Sequence, residues 1–171
     1  MGITVRNTNS QAVLNETKRG LMRIESGIIK ILQYAGEEFV KDARDGLNIS
    51  GAFPKGDYTN RTVNLRSSIG YFILKDGVII DNNLQGTAEG MSAAREMLNS
   101  IPNKGGYQLI GVAGMDYASY VESMGYNVIT SQADVAIVNI ERKLQKFKNQ
   151  MNAKGNSVDF DINDLVLTAT R

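Results

Sequence analysis

Two absences narrow the chemistry open to this chain. None of its 171 residues is cysteine or histidine. Thiolate nucleophiles, disulfides and Cys-based metal sites are therefore out of reach. So are the Ser–His–Asp triad, the commonest near-neutral general base and the commonest zinc ligand. What remains is carboxylate chemistry. Asp116 with Glu122, and more remotely Asp57, Asp76 and Glu89, come nearest to a set that could hold Mg²⁺ or do acid–base work. No repeated spacing unites them. Asp116 stands where a helix cap is wanted and Asp76 where a turn is wanted, so structural duty is the competing reading. Ser67 and Ser68 have no histidine to activate them and no nearby lysine pattern, and are expected to be surface or backbone-bonded. Neither a Walker A sequence nor a G-x-G-x-x-G after a strand occurs. No cofactor and no metal are expected.

Charge points the same way. Lysine and arginine total 19 against 18 acidic residues, a net charge of +1, whereas a free DNA-binding protein usually carries a strong basic excess. One local bias stands out. Arg142, Lys143, Lys146 and Lys148 fall within one helical stretch with Glu141 as the nearby acid. They are the best candidates for phosphate contact or for lining a DNA channel. Cations that offset the dipole at a helix C-terminus would look the same.

The elements that must position these residues follow from periodicity. At 42% hydrophobic residues the chain supports one globular domain, expected over residues 1–151 with an N-terminal arm at 1–11, followed by an extended arm over 152–171. Residues 12–44 read as a long helix, with Leu21, Ile24, Ile28, Ile31, Ala35, Phe39 and Ala43 on one face and Asp45-Gly46 as its stop. Gly20, Gly27 and Gly36 each cost that helix about 1 kcal/mol against alanine, and a kink or break is expected near Gly20. Residues 46–61 are a long loop. A short helix is expected over 62–70, capped by Thr62 and closed by a left-handed Gly70. Residues 71–81 read as a hairpin turning at Asp76-Gly77. A polar loop over 82–90 and a helix over 91–98 come next. Residues 107–114 form a central strand, and 117–124 a helix with Tyr117, Tyr120, Val121 and Met124 on one side. A strand over 126–130 and a helix over 131–151 complete the body. In the arm, Val158, Phe160 and Ile162 alternate at strand period, so the arm is expected to pair with a sheet, its own or a neighbour's. The first twenty residues hold no apolar leader core and no stretch suits a membrane span, so a reducing cytoplasm without membrane contact is expected.

Three blocks in this chain resemble the tail-completion (head–tail joining) family of long-tailed phages and prophages. They are Tyr34-Ala35-Gly36-Glu37-Glu38 through Lys41-Asp42-Ala43-Arg44, then Arg61-Thr62-Val63-Asn64-Leu65-Arg66-Ser67-Ser68-Ile69-Gly70-Tyr71, then Val112 through Glu122 with Gly125-Tyr126. The resemblance covers residues 20–150, and its most specific part is the pairing of Thr-x-x-Leu-Arg-x-Ser-Ile with a downstream Tyr-Ala-x-Tyr-Val-Glu. One departure is Val63, where the family usually has glycine.

The resemblance implies an α+β subunit: a small, mainly antiparallel sheet packed with a long N-terminal helix and a second long C-terminal helix. The residues themselves lead to the expectation of a non-enzymatic protein, and the resemblance implies a place in the virion neck, reached after assembly in the host cytoplasm. There the subunit would form a cyclic homo-oligomer, a hexamer first and a dodecamer second. Its partners would be connector or adaptor, tail-terminator and tail-tube proteins, with DNA passing through the lumen without sequence readout. The interface candidates are Asp57, Tyr58 and Arg61 in the long loop, Arg66 beside it, Tyr117, Tyr120 and Glu122 in the third block, and Phe160, Ile162 and Leu165 in the arm. Two readings of other classes stand beside this one. A Mg²⁺-dependent nuclease of packaging would use Asp116 and Glu122. A DNA-binding accessory protein would use Lys143, Lys146 and Lys148.

Overall fold

The computed structural model describes residues 10–46, 64–115, 118–123, 128–153 and 166–170. The fold is α+β, as expected. Helix α1 spans Ser10–Gly46 and α2 Asn64–Ser68. Strands β1 (Ile69–Lys75) and β2 (Val78–Asn83) form the hairpin. Helix α3 (Ala88–Asn99), strand β3 (Tyr107–Ala113) and helix α4 (Ala118–Ser123) follow. Helix α5 (Thr130–Ala153) and strand β4 (Val166–Thr170) end the described chain.

The sheet order is β2-β1-β3-β4, with β1 antiparallel to both neighbours and β4 parallel to β3. The arm's last strand thus pairs with the chain's own sheet. Period-two alternation sends β1 and β3 side chains to two separate cores. Ile69, Tyr71, Ile73, Leu109 and Ala113 face the core shared with α1 and α5. Phe72, Leu74, Ile110 and Val112 face α3, where Ala94 and Leu98 meet them. The result is three layers, with the sheet in the middle.

The hairpin turns where Asp76-Gly77 predicts. Both residues take positive φ, 52° and 83°, the combination a type I′ turn requires. The Asp76 N–H donates to the Gly106 carbonyl at 2.8 Å, and its Oδ1 accepts from the Gly106 N–H at 2.9 Å.

Helix α1 runs through Gly20 without the expected break. Its buried stripe begins at Ile28 and continues through Leu32, Ala35, Phe39, Val40 and Ala43. Leu21, expected on that face, is 60% exposed. The cause is the length of the neighbour. Helix α5 packs antiparallel on α1, with Lys143 at Glu38 and Phe147 at Gly27, and ends at Ala153. The first turns of α1 have no described element beside them to bury against.

Polar ties hold α1 along the sheet. Glu25 bonds Lys75 and accepts from the Tyr107 hydroxyl at 3.0 Å. Gln33 donates to Asp81 at 2.9 Å, and Glu37 accepts from Tyr71 at 3.1 Å and from Asn83 at 2.8 Å. Arg44 donates to the carbonyls of Ile69 at 2.8 Å and Gln85 at 3.0 Å.

Several local expectations need correcting. Of the short helix expected over 62–70, residues 62 and 63 lie outside the described residues, Asn64–Ser68 are helical, and Gly70 is a residue of β1 rather than a left-handed cap. Glycine is required there for space, since a Cβ would meet Leu84 at 2.3 Å and the Asn83 carbonyl oxygen at 2.6 Å. The polar loop over 82–90 is shorter than expected. Strand β2 extends to Asn83, and α3 already starts at Ala88 behind Thr87, whose side chain accepts the Gly90 N–H. Val128 and Ile129 lie in a bend, not a strand, and Thr130 opens α5. Val121 is buried on α4 while Tyr120 is 63% exposed, so the two do not share a face. Ser67 and Ser68 are buried. Ser68 donates to the Leu65 carbonyl at 2.8 Å as a backbone-bonded serine, and Ser67 meets the Thr87 hydroxyl at 2.9 Å.

Candidate functional site

Eight of the residues singled out from sequence, Asp57, Tyr58, Arg61, Asp116, Tyr117, Phe160, Ile162 and Leu165, lie outside the described residues. The others are placed as follows.

Glu122 has a structural duty that its sequence position did not reveal. From α4 its Oε1 accepts the backbone N–H groups of Val128 at 3.2 Å, Ile129 at 3.0 Å and Thr130 at 3.1 Å, and the Thr130 hydroxyl at 3.0 Å. A carboxylate here satisfies amides at the start of α5 and meets the positive end of its dipole. This capping also explains why Val128 and Ile129 form no ladder: their N–H groups are already taken. The other carboxylates are dispersed. Asp76 is held in the hairpin turn and Glu89 stands in the first turn of α3. Among the described residues no group of three or more acidic side chains is arranged to hold a metal ion.

The basic face of α5 divides. Lys143 is committed to α1, bonding Glu38 at 2.9 Å with its ammonium 3.8 Å from the Tyr34 ring centre. Lys148 is half-buried. Arg142 and Lys146 are exposed, one α-helical turn apart, beside a shallow surface depression that also takes in Gln145 and Asn149. They are the cations of the four best placed to meet a phosphate.

Arg66, in α2, stands near enough to Arg44, at the end of α1, for their like charges to interact. Burial and then the like charge of Arg66 lower the Arg44 pKa from its ordinary value. Neither Nε atom has a hydrogen-bond partner among the described residues.

Three apolar surfaces are left uncovered by the described body. On the first half of α1, Val13, Leu14, Leu21 and Met22 are each more than half exposed, at 62%, 52%, 60% and 64%. On β2, an outer strand of the sheet, Val78, Ile79 and Ile80 are exposed in succession. On α5, Val135 and Val138 are exposed. Elsewhere, α3 and the end of β3 enclose an open groove of about 610 Å³ lined by Glu89, Ala93, Glu96, Met97, Gly114 and Met115. Of these features, sequence reasoning missed the α1 surface, the α3 groove and the Glu122 cap. The apolar period of α1 does continue upstream of Leu21. Only the length of α5 reveals that no described element covers this part.

No protein-family model, curated protein or solved structure matches the chain. No helix among the described residues is long and apolar enough to cross a membrane.

Proposed function

We propose that this protein is a structural subunit of a tailed-phage neck. It forms a cyclic ring that joins or completes the tail at the head connector and surrounds the DNA channel. The observation that carries the reading is the pair of uncovered apolar surfaces at different places on the body: the first half of α1 and the outer strand β2. Isolated exposed apolar residues are ordinary, but grouped ones mark contact surfaces. An outer strand with three consecutive exposed Val and Ile residues, and no Lys or Pro among Val78–Asn83 to block pairing, invites a partner. A ring uses head-to-tail interfaces, which need two different surfaces on each subunit, and this chain has them. The three sequence blocks that resemble the tail-completion family supply the neck assignment. In the ring, Arg142 and Lys146 are the residues for phosphate contact along the lumen, without sequence readout. Connector or adaptor, tail-terminator and tail-tube proteins are the neighbours above and below.

The reading is tested by sedimentation velocity over a range of concentrations, with and without the connector and tail proteins of the same phage. It predicts a discrete, closed oligomer of six or twelve chains. A protein that stays monomeric under all of those conditions contradicts it.

A further inference from the structure

Two half-buried cations of this fold are matched by acids. Lys75 bonds Glu25, and Lys143 bonds Glu38 at 2.9 Å. Arg44 and Arg66 are half-buried too, yet neither forms an ion pair among the described residues. They stand at one place. The Arg44 guanidinium donates to the carbonyls of Ile69 at 2.8 Å and Gln85 at 3.0 Å, and Ile69 follows Arg66 by less than one helical turn. Both of those bonds come from one terminal nitrogen. The Arg44 Nε is buried without a partner among the described residues, and so is the Arg66 Nε. Glu37 attracts Arg44 through space, but its oxygens already accept from Tyr71 and Asn83.

A guanidinium keeps its proton at any ordinary pH, so this place holds two positive charges. Half-buried like charges with no acid in contact oppose folding, and an anion brought to them would offset that cost. Charge and shape select the anion. The planar fork of arginine matches the oxygens of carboxylates and phosphates. A carboxylate cancels one of the two charges. A phosphate with one ester bond or none carries close to two, and offers three or more acceptor oxygens. We propose that Arg44 and Arg66 form a binding site for a doubly charged phosphate, as the free ion or as a monoester. Bound there, it ties the end of α1 to α2 and the start of β1. The site does not depend on the ring reading, and its chemistry differs from contact with the singly charged diesters of DNA.

Calorimetric titration of the whole chain with inorganic phosphate tests the site, in chloride buffer of constant ionic strength at slightly alkaline pH. Wild type should take up one phosphate per chain. Arg66→Gln should bind about tenfold more weakly or worse, the loss of a hydrogen bond to a charged group. Arg95→Gln, which removes an exposed cation on α3, should bind as wild type does. Glycerol 3-phosphate separates the two sources: if it binds as well, the site takes monoesters, and if it does not, the site takes the free ion. Dimethyl phosphate, a singly charged diester, should not compete. Thermal unfolding supplies the folding control. Phosphate should raise the midpoint of wild type and leave that of Arg66→Gln in place. Without phosphate, the midpoint of Arg66→Gln should equal or exceed that of wild type, because a repulsion has been removed. A lower midpoint there would show that Arg66 already has a stabilising partner within the chain, and overturns the proposal. So does wild type that takes up no phosphate, an affinity that Arg66→Gln leaves unchanged or Arg95→Gln lowers equally, or binding of the diester as tightly as the dianion.

Discussion

At the scale of single residues, the carboxylates are the decisive groups. Glu122 is the residue that a nuclease reading would make catalytic, yet its oxygens are engaged with the amides that start α5. Replacing it by alanine should destabilise the fold by about 1–2 kcal/mol, the range for a lost helix cap, as read by denaturant unfolding. Wild-type protein incubated with DNA and Mg²⁺ or Mn²⁺ should leave the DNA intact. Cleavage that is lost in Glu122→Gln would instead give the carboxylate a catalytic role. Glu25 provides a pH-dependent contact. Its hydrogen bond from the Lys75 ammonium, then that from the Tyr107 hydroxyl, lower its pKa from the ordinary 4.5. A depressed carboxylate contributes stability above its unfolded pKa and loses it as pH falls through the folded one. Glu25→Gln should therefore lower the thermal midpoint at neutral pH, and the gap to wild type should close as the solution is acidified below the ordinary glutamate range. A gap that persists at low pH would show that packing, not the ion pair, is what Glu25 supplies.

At the scale of elements, the contrast within α1 is the most informative. Leu32 is completely buried and Leu21 is 60% exposed, although both lie in the same apolar-rich helix. Leu32→Ala should cost about 3 kcal/mol, as a buried leucine truncation does. Leu21→Ala should stay within about 0.5 kcal/mol in the dissociated protein. Equal losses would mean that the first half of α1 is packed within the monomer. This contrast also marks what the sequence could and could not disclose. The long helices, the hairpin at Asp76-Gly77 and the central strand at 107–113 were legible, because apolar period and turn chemistry are local properties. The extent of α5, expected over 131–151, was legible for the same reason. The Gly70 assignment failed because glycine served close approach to Leu84 rather than a left-handed turn, and sequence alone does not separate those uses. Within the strand expected at 126–130, the described residues Val128–Thr130 form no ladder because a side chain from another element, Glu122, takes their backbone amides. The α3 groove depends on how closely Gly114 lets α3 approach β3, which is a tertiary fact.

At the scale of the whole molecule, the body is well closed on both faces of its sheet and open elsewhere. α1 and α5 cover one face and α3 the other, each with a buried core. Apolar surface remains among the described residues along the first turns of α1, along the outer strand β2 and at Val135 and Val138 of α5. The part of α1 that runs past the described core adds little to it, and the proposed ring would give that part a partner. The near-neutral charge of +1 fits a channel subunit that must let DNA slide rather than hold it. The most direct test of this account is electron microscopy of the purified protein, alone and bound to its connector and tail partners. Class averages should show a closed ring with a central lumen and six, or else twelve, countable subunits. Particles that remain single 18.7 kDa bodies, or that form only open chains without a lumen, would contradict it.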